Sequence, residues 1–412
     1  MSNFYIIFLL SFLLRLLAAI FFGDKTLDHE FDVLAKNFVD GHGYSYWSLL
    51  DNGQLTNKYA PEAILHLPSA YMPILYPLLV TFFIYIFGYN NVSVFLILVF
   101  QSFLGAVNCF MIGKIYEEKF NSKSLTVILF TSFFPLHIFM STQISASTLY
   151  VFLITSVLLF YYRLLKLNNI KNAFILGFSL GLLTLSRADA ILIIPAIITL
   201  LLLLHKNISY KNTMIFTLTS LLVIAPMSIR NYNTFGFFYP LTISGGLNLW
   251  LGNNEDATGS RMNYVVPYKP IPDTIQNQIS SLKINSNYEV NLDNIYKEEA
   301  KQFIINNPLK SFELSMQKVI FFWVHIYDQR IQYPKMNNFL YWGPWIFFLP
   351  FFILGFKDSI REFRKNDLEI FLILYFTFIY SVFFVLPRYR LIVLPIYLIV
   401  STKFIQKKFS VN

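Results

Sequence analysis

Long apolar runs, separated by short polar stretches, extend along most of the chain. A helix needs about 20 consecutive apolar residues to cross a hydrocarbon core of about 30 Å. Ten runs approach that length, at residues 4–22, 92–113, 124–141, 144–162, 173–186, 190–204, 213–229, 339–356, 368–386 and about 391–402. The pattern predicts an all-α polytopic membrane protein with about ten transmembrane helices.

An eleventh run, residues 72–87, is only sixteen residues long and has Pro73 and Pro77 at its start. Loop charge bears on whether it crosses, because cytoplasmic loops contain an excess of Lys and Arg. If the run lies in the membrane interface, these basic residues face the cytoplasm: Lys114, Lys119, Lys123, Arg163, Lys166, Lys171, Lys206, Lys211, Lys357, Arg361, Arg364, Lys365, Lys403, Lys407 and Lys408. If it crosses, all of them face outside. We therefore predict an interfacial helix at 72–87.

This topology places both ends of the chain in the cytoplasm and two long segments outside, residues 23–91 and 230–338. Three regions follow: a transmembrane module at 1–229 that includes the first outside loop, a mixed outside segment of about 100 residues at 230–338, and C-terminal transmembrane helices at 339–412. The first apolar run contains Arg15 and has no basic residue before it, which argues against a cleaved signal peptide.

Composition supports a membrane location and excludes other classes. The chain is 56% hydrophobic and 13% charged, whereas soluble domains are roughly 25% charged. The net charge of +9 is explained by positive loops on the cytoplasmic side of the inner membrane, so we expect no nucleic-acid partner. The single cysteine, Cys109, excludes an intrachain disulfide and a Cys-based zinc site.

The first outside loop begins with an acidic amphipathic helix. Its apolar positions recur at helical spacing, at Phe31, Leu34, Ala35, Phe38 and Val39. Asp28 is placed to cap the helix, and Glu30 and Asp32 lie in its first turn, where the helix dipole favours anions. Capping accounts for Asp28, and acids are common in a first turn, so one interpretation gives all three acids a purely structural role. The alternative is that one of them acts as a general base at the membrane interface.

A second feature of this loop favours a functional role for the acids. The Pro-rich stretch 67–77 leads into the interfacial helix, which we expect to fold back beside the acidic helix. Glu62, His66, Tyr71 and Tyr76 lie between or beside the two helices. Carboxylates, an imidazole and tyrosines at the membrane boundary suit a substrate that is half lipid and half polar.

Four arginines lie where the topology gives no reason for them: Arg15 in the middle of a span, Arg187 in a tight turn, and Arg388 with Arg390. Snorkelling, a turn interaction between Arg187 and Asp189, or a hydrogen bond inside the bundle explains each one singly. We expect His137, in the third span, to be hydrogen-bonded within the bundle. Taken together, the arginines favour an anionic lipid head group at the outer face, since the guanidinium fork matches phosphate oxygens.

The second outside segment is rich in Gly and Asn. Glycines at 236, 245, 246, 252 and 259 occur with Asn231, Asn248, Asn253, Asn254 and Trp250. Such a composition predicts tight turns with amide groups and one aromatic surface, which suit a sugar or phosphosugar. Residues 296–323 then predict an amphipathic helix broken at Pro308.

A linked set of motifs covers nearly the whole chain: residues 28–44, 69–77, 177–189, 225–232, 245–259, 299–308 and 388–390. Their order resembles the bacterial GT-C glycosyltransferases of the family 39 type, related to protein O-mannosyltransferases and to the lipid A aminoarabinose transferase. The resemblance implies a GT-C fold. It also implies inverting transfer of a sugar from polyprenyl phosphate, usually undecaprenyl phosphate, to a glycan, lipid or protein acceptor on the outer side of the membrane.

The resemblance assigns roles to particular residues. Asp28 is the first choice for the acid that takes the acceptor proton, with Glu30 or Asp32 as alternatives because the adjacent Asp-Glu pair of many relatives is Asp28-His-Glu here. Arginines of the family hold the departing phosphate, a role that maps to Arg187, Arg230, Arg388 and Arg390. Some relatives use a divalent metal such as Mg²⁺ or Mn²⁺ and others do not, so metal dependence stays open.

Three other envelope functions remain as alternatives: a polysaccharide polymerase, an O-antigen ligase and a lipid-linked oligosaccharide transporter. A transporter pathway is typically lined by polar and charged residues along many spans. Here the spans are nearly free of charge and the ionisable groups gather at one face. The acidic surface helix fits a polymerase or ligase less well than a transferase.

Overall fold

Polar gaps between the apolar runs separate helices in the computed structural model, which describes residues 2–27, 29–260, 271–324 and 335–409. The helices of the N-terminal half are α1 (Ser2–Phe22), α2 (Glu30–Val39), α3 (Leu75–Phe87), α4 (Asn91–Phe120), α5 (Leu125–Phe133), α6 (Pro135–Phe139), α7 (Ser147–Leu167), α8 (Ile170–Ser186), α9 (Ile193–Leu203) and α10 (Tyr210–Phe235). The remaining helices are α11 (Gly245–Gly252), α12 (Asp273–Ser280), α13 (Tyr288–Asn306), α14 (Pro308–Trp323), α15 (Lys335–Arg361), α16 (Phe363–Val382) and α17 (Leu394–Phe409). Short 3₁₀ turns cover Met140–Thr142, Ala188–Leu192 and Pro387–Val393.

Short polar residues set the ends of the long helices. Asn90 caps α4 by accepting from the N–H groups of Val92 and Ser93, and Asn169 and Ser209 cap α8 and α10 in the same way. At the other ends, α4 and α7 stop at asparagines in the left-handed region, Asn121 and Asn168. These residues supply the caps that the chain needs between closely spaced spans.

Six described helices are long and apolar enough to cross a membrane, at Phe4–Phe22, Asn91–Phe120, Ser147–Leu167, Tyr210–Phe235, Trp342–Arg361 and Pro387–Phe409. A seventh span is formed if Leu125–Phe133 and Pro135–Thr142, which meet at a bend of 60°, are counted together. Shorter apolar helices cover Leu75–Phe87, Ile170–Ser186 and Ala188–Leu203. The predicted polytopic helical architecture is confirmed, and the number of ten spans stays a prediction.

Small residues allow the central helices to approach closely. A Cβ atom on Gly177 of α8 would lie 2.4 Å from Phe216 O of α10, and one on Gly181 would lie 2.6 Å from Val223 Cβ of the same helix. A Cβ atom on Gly355 of α15 would lie 2.8 Å from Val400 O of α17. Close backbone approach at small residues is the usual packing device where lipid removes the hydrophobic driving force. The main buried cluster joins α4, α7, α8, α9, α10, α16 and α17.

The first outside loop contains a small sheet that the all-helical prediction lacked. Strand β1 (Ser45–Leu49) pairs antiparallel with both β2 (Leu55–Thr56) and β3 (Leu65–Pro68). Helix α2 packs against α3, with the Phe31 and Tyr76 rings 4.9 Å apart, so the predicted fold-back is confirmed. The strands are two to five residues long, too short for alternation of apolar and polar positions to reveal them.

The second outside segment differs from prediction at one point. Of the glycines predicted to form tight turns, those at 245, 246 and 252 lie in the helix α11 instead, whereas Gly236 and Gly259 have the positive φ of turn glycines. Asp293 of α13 explains the difference, because its carboxylate accepts from the N–H groups of Gly246 and Leu247 at 3.0 and 2.9 Å and caps the helix. The predicted break at Pro308 is confirmed, between α13 and α14, although α13 already begins at Tyr288. Helix α10 continues through Arg230 to Phe235.

Candidate active site

A cavity of about 400 Å³ lies where the ends of several helices meet, and we call it the Glu30 cavity. Its walls come from the start of α2, the stretch before α3, the start of α7, the turn after α8, helix α11, the end of α16 and the turn before α17. Its polar side chains are Glu30, Tyr71, Ser145, Ser147, Tyr150, Ser186, Arg187, Asp189, Thr242, Ser244, Asn248, Tyr375, Tyr380, Arg388 and Tyr389. Segments that are distant in sequence therefore bring carboxylates, arginines and tyrosines into one space.

The acids at the start of α2 have different positions. Glu30, the first residue of the helix, lines the cavity. Asp32 is buried and accepts from the His29 N–H at 2.8 Å, so it fixes the first turn. His29, and not the predicted Asp28, immediately precedes the helix, and Asp28 lies outside the described residues.

A fourth acid, which the sequence analysis did not single out, anchors this turn. Asp24 accepts from the Ile144 N–H at 2.7 Å, and its carboxylate lies 3.5 Å from His29 Nε2. The hydrogen bond to Asp24 raises the pKa of His29 above its ordinary value, against the opposing effect of burial. The chain between α1 and α2 is thus tied to the stretch before α7, whose residues form the adjacent cavity wall.

Arg187 already has an anionic partner. Helix α8 ends at Ser186, Arg187 is extended, and a 3₁₀ turn brings Asp189 back to it. The Nε–Oδ1 and Nη2–Oδ2 distances are 3.0 and 2.6 Å, a bidentate pair, and the Tyr380 hydroxyl also bonds to the guanidinium. The turn interaction proposed for Arg187 is therefore present, and the pair forms part of the cavity wall.

Arg388 differs because its side chain is exposed and has no ion pair with any described carboxylate. Its backbone carbonyl accepts from the Tyr150 hydroxyl at 2.9 Å, which fixes the chain at this point. The neighbouring Tyr389 ring stacks on Tyr380 at 5.1 Å. A rigid backbone thus presents an uncompensated guanidinium to the cavity.

The other arginines contact protein groups away from the cavity. Arg230 donates to the carbonyls of Ser69 and Tyr44 at 2.6 and 3.1 Å. Arg390 is buried, donates to the Phe321 carbonyl at 2.8 Å and lies over the Trp342 ring. The structure thus brings two of the four predicted phosphate ligands, Arg187 and Arg388, to the cavity.

Arg15 and His137 form a network inside the bundle. Arg15 Nη2 lies 2.7 Å from His137 Nδ1, and Arg15 Nη1 donates to Ser11 Oγ at 2.7 Å. Asn108 contacts the other His137 nitrogen at 3.1 Å. Hydrogen bonding within the bundle, one of the explanations considered for Arg15 and the one expected for His137, is confirmed for both.

Some of the predicted substrate-binding residues line the cavity and others do not, as was found for the arginines. Tyr71 and Asn248 line the cavity. The rest make other contacts: the buried Tyr76 hydroxyl donates to Gln101, His66 stacks on His42, Trp250 packs on Tyr296, Asn253 bonds to Lys318, Asn254 donates to the Trp250 carbonyl, and Glu62 is exposed. The first five of these residues support neighbouring elements, and none of the six lines the cavity.

Four cavity tyrosines were missed by the sequence analysis: Tyr150, Tyr375, Tyr380 and Tyr389. Tyr150, Tyr375 and Tyr380 belong to apolar runs that indicate spans, so nothing local marks them as functional. Among the described residues, no three or more His, Cys, Asp or Glu side chains are grouped so that they could hold a metal ion.

Comparison with known proteins gives a partial family match and a fold. Residues 71–230 match the model of the family described as dolichyl-phosphate-mannose-protein mannosyltransferase. No curated protein sequence matches the chain. The matched family is one of glycosyltransferases, in agreement with the predicted enzyme class.

Solved structures extend the similarity to the whole chain. The oligosaccharyltransferase of Archaeoglobus fulgidus, tethered to an acceptor peptide with the NVT sequon, aligns with a TM-score of 0.57 at 12% identity and covers 99% of this chain and 49% of that one. The same enzyme, AglB, in complex with an inhibitory peptide and a dolichol-phosphate, aligns with a TM-score of 0.56 at 13% identity and covers 99% and 50%. This chain therefore spans about half the length of that enzyme. The predicted GT-C fold and the resemblance are confirmed.

Proposed function

We propose that the chain is an inverting glycosyltransferase that moves a sugar from a polyprenyl-phosphate donor, such as undecaprenyl phosphate, to an envelope acceptor. The observation that carries the proposal is the Glu30 cavity, which is lined by the carboxylate of Glu30 and by Arg388, an arginine that has no ion pair with any described carboxylate. The family match over residues 71–230 and the dolichol-phosphate bound by the neighbour AglB support it. The acceptor is a glycan, a lipid or a protein at the outer face of the cytoplasmic membrane.

In this proposal, transfer is a single displacement at the anomeric carbon. The acceptor hydroxyl oxygen bonds to that carbon as the bond from the carbon to the phosphate oxygen breaks, which inverts the configuration. The carboxylate of Glu30 takes the hydroxyl proton, or that of Asp28, two residues earlier, does so. The donor leaves as polyprenyl phosphate. A positioned general base contributes typically 10²–10⁴-fold to such a step.

Negative charge grows on the departing phosphate, and a fixed cation beside it lowers the barrier. Arg388 suits this role because none of the described carboxylates neutralises it, and Arg187 adds a guanidinium whose charge is shared with Asp189. Tyr71 and Asn248 supply hydrogen-bonding groups for the sugar from two different walls. The aromatic rings of Tyr150, Tyr380 and Tyr389 exclude water from the same space.

The test is transfer from a panel of radiolabelled undecaprenyl-phosphate sugars by membranes that contain the wild type, Asp28→Asn, Glu30→Gln or Asp51→Asn. Asp51 is an exposed acid of the same outside loop and lies away from the cavity, so Asp51→Asn is the matched control. We expect one donor to be consumed, the control to equal the wild type, and either Asp28→Asn or Glu30→Gln to lose about 10²–10⁴-fold in transfer rate.

Folded yield is measured for each variant so that lost activity is compared at equal protein. If the wild type binds a donor but never consumes it, a transport or ligase function replaces the proposal. If both Asp28→Asn and Glu30→Gln keep full activity, the acids of this loop do not act as the base.

A further inference from the structure

A second cavity, of about 560 Å³, lies at the other end of the helix bundle, and we call it the Lys403 cavity. Helix α7 connects the two, with Tyr150 in the wall of the Glu30 cavity and Lys166 in the wall of the second. Sixteen residues of helix at 1.5 Å each separate these positions by roughly 24 Å. Helix α16 likewise runs from one cavity to the other, and so does α17 together with the 3₁₀ turn that precedes it. The second cavity therefore faces the opposite side of the membrane from the candidate active site.

The charges that line this cavity leave an excess of cations after internal pairing. Its acids are Glu118, Asp358 and Glu362, and each is paired, with Arg163, Lys407 and Lys365 at 2.7, 2.9 and 2.9 Å. Lys119 is paired as well, with the buried Glu369 beneath the cavity. Lys166, Arg364 and Lys403 also line it, and none of them has a described carboxylate partner. Three positive charges therefore remain to bind an anion that is not part of the protein.

The wall of the cavity is partly apolar, which indicates the kind of anion that it can bind. Phe120, Leu165, Val400 and Phe404 line it between the basic residues. Lys403 Nζ lies 4.8 Å from the centroid of the Phe120 ring, so cationic and apolar groups are in direct contact. A soluble phosphate needs no apolar wall, whereas a lipid has acyl chains that cover one. Basic pockets between helices at the cytoplasmic side are typical sites for anionic lipid head groups.

We propose that the Lys403 cavity binds the phosphate head group of an anionic lipid of the cytoplasmic leaflet, with Lys166, Arg364 and Lys403 as its cationic ligands. The positive-inside rule alone would place basic residues at this face. It does not require a cavity in which every lining acid is already paired and three cations are not. The site is independent of the proposed transfer chemistry.

The test compares two triple variants of the full chain that remove equal charge from the same face. Lys166→Gln/Arg364→Gln/Lys403→Gln removes the three proposed ligands. Lys123→Gln/Lys171→Gln/Lys211→Gln is the matched control, because these lysines are exposed, are predicted to be cytoplasmic and do not line the cavity. Native mass spectrometry of detergent-purified protein, titrated with phosphatidylglycerol or phosphatidylcholine, counts the bound lipids.

We expect the ligand variant to lose at least about 10-fold in phosphatidylglycerol affinity and the control to stay within about 2-fold of the wild type. Phosphatidylcholine, which has no net charge, should bind all three proteins equally. Equal losses in both triple variants would show general surface attraction and overturn the site. Displacement of the lipid by millimolar inorganic phosphate would show a soluble-anion site and overturn the lipid assignment.

A single substitution tests the same site in case the triple variant does not fold. Arg364→Gln alters one exposed side chain at the edge of the cavity and should weaken phosphatidylglycerol binding by about 3-fold. Its apparent thermal midpoint without lipid should equal that of the wild type. Unchanged affinity in this variant, with the triple variant folded and also unchanged, refutes the proposal.

Discussion

At the scale of single residues, the two arginines of the Glu30 cavity differ in what they already bind. Arg187 is held by Asp189 and Tyr380, so much of its charge is neutralised before any substrate arrives. Arg388 has only its backbone fixed, by Tyr150. The electrostatic effect on an incoming phosphate should therefore come mainly from Arg388, because no described carboxylate offsets its charge.

We expect Arg388→Gln to reduce kcat/KM for the lipid-phosphate donor by about 10²-fold or more, a size typical for loss of one electrostatic ligand of a transition state. Steady-state transfer assays on purified protein measure it. Arg361→Gln, an exposed arginine of the opposite end, is the control and should be unaffected. Equal activity of Arg388→Gln and the wild type would assign the phosphate to other groups.

The sequence alone predicted the types of residue in the Glu30 cavity better than it predicted which particular residues line it. The residue types were evident, since the sequence alone singles out the acids at the start of α2 and the arginines that the topology does not explain. Which arginines meet is a matter of packing: Arg230 and Arg390 lie as close in sequence to motif residues as Arg187 and Arg388, yet they bind carbonyls and tryptophan rings elsewhere. The cavity tyrosines Tyr375 and Tyr380 were hidden because they lie in a predominantly apolar run that indicates a membrane span.

At the scale of elements, helix α13 holds two walls of the Glu30 cavity. Glu289 accepts from the Ala70 N–H at 3.2 Å, beside Tyr71, and Asp293 caps α11, one turn before Asn248. Both contacts join segments more than forty residues apart. This explains why local pattern predicted turns at Gly245 and Gly246, since the cap that makes the helix comes from α13. The break at Pro308 needed no such contact and was predicted.

Glu289 should make stability depend on pH. Burial raises its pKa to about 8, so the folded protein holds the proton more tightly than the unfolded chain does. The resulting stabilisation is fully present below the unfolded pKa near 4.5 and is lost as pH rises through about 8. Glu289→Gln removes this dependence. As pH rises across that window, the free energy of unfolding of the variant should increase relative to that of the wild type by up to about 1.4 kcal/mol per pH unit.

Apparent thermal midpoints of both proteins between pH 5 and 9 test this expectation. Glu298→Gln, on the exposed side of the same helix, is the control, because its lysine partner lowers the pKa of Glu298 and keeps it charged throughout the range. If the thermal midpoints of the wild type and Glu289→Gln change with pH in parallel, then folding does not depend on protonation of Glu289.

The contact of α11 with α13 can be tested with two adjacent glycines. A Cβ on Gly246 would lie 2.1 Å from the Asp293 carbonyl oxygen, whereas a Cβ on Gly245 meets no atom within 4 Å. We expect Gly246→Ala to destabilise the protein by about 1–3 kcal/mol and Gly245→Ala to be neutral. Apparent thermal midpoints in detergent compare them. Equal midpoints would indicate that α11 moves freely away from α13.

At the scale of the whole molecule, apolar length predicted the helical membrane architecture, but the number of spans depends on bends and short helices. Phe134 and Pro135 bend one predicted span by 60°, and α8 and the stretch 188–203 are short. Apolar content cannot reveal such breaks, because the residues on both sides of a bend are equally hydrophobic. Loop charge is independent of helix length, so it gives the stronger prediction of orientation.

Helix α3 decides the orientation of everything after it. Its thirteen residues span roughly 20 Å, less than the hydrocarbon thickness, which favours the predicted interfacial position. Asp51 and Lys123 flank α3 and α4, so they lie on opposite sides of the membrane if α3 does not cross and on the same side if it does. Cys109 is fully buried and should leave little background for thiol labelling.

We expect a membrane-impermeant maleimide to label Asp51→Cys and Asn285→Cys in intact cells, and to label Lys123→Cys and Lys211→Cys only after the membrane is opened. All four positions are exposed, so differences in labelling report the side of the membrane and not burial. Equal labelling of Asp51→Cys and Lys123→Cys in intact cells would mean that α3 crosses. The Lys403 cavity would then face outside, and both the positive-inside orientation and the lipid proposed for that cavity would fail together.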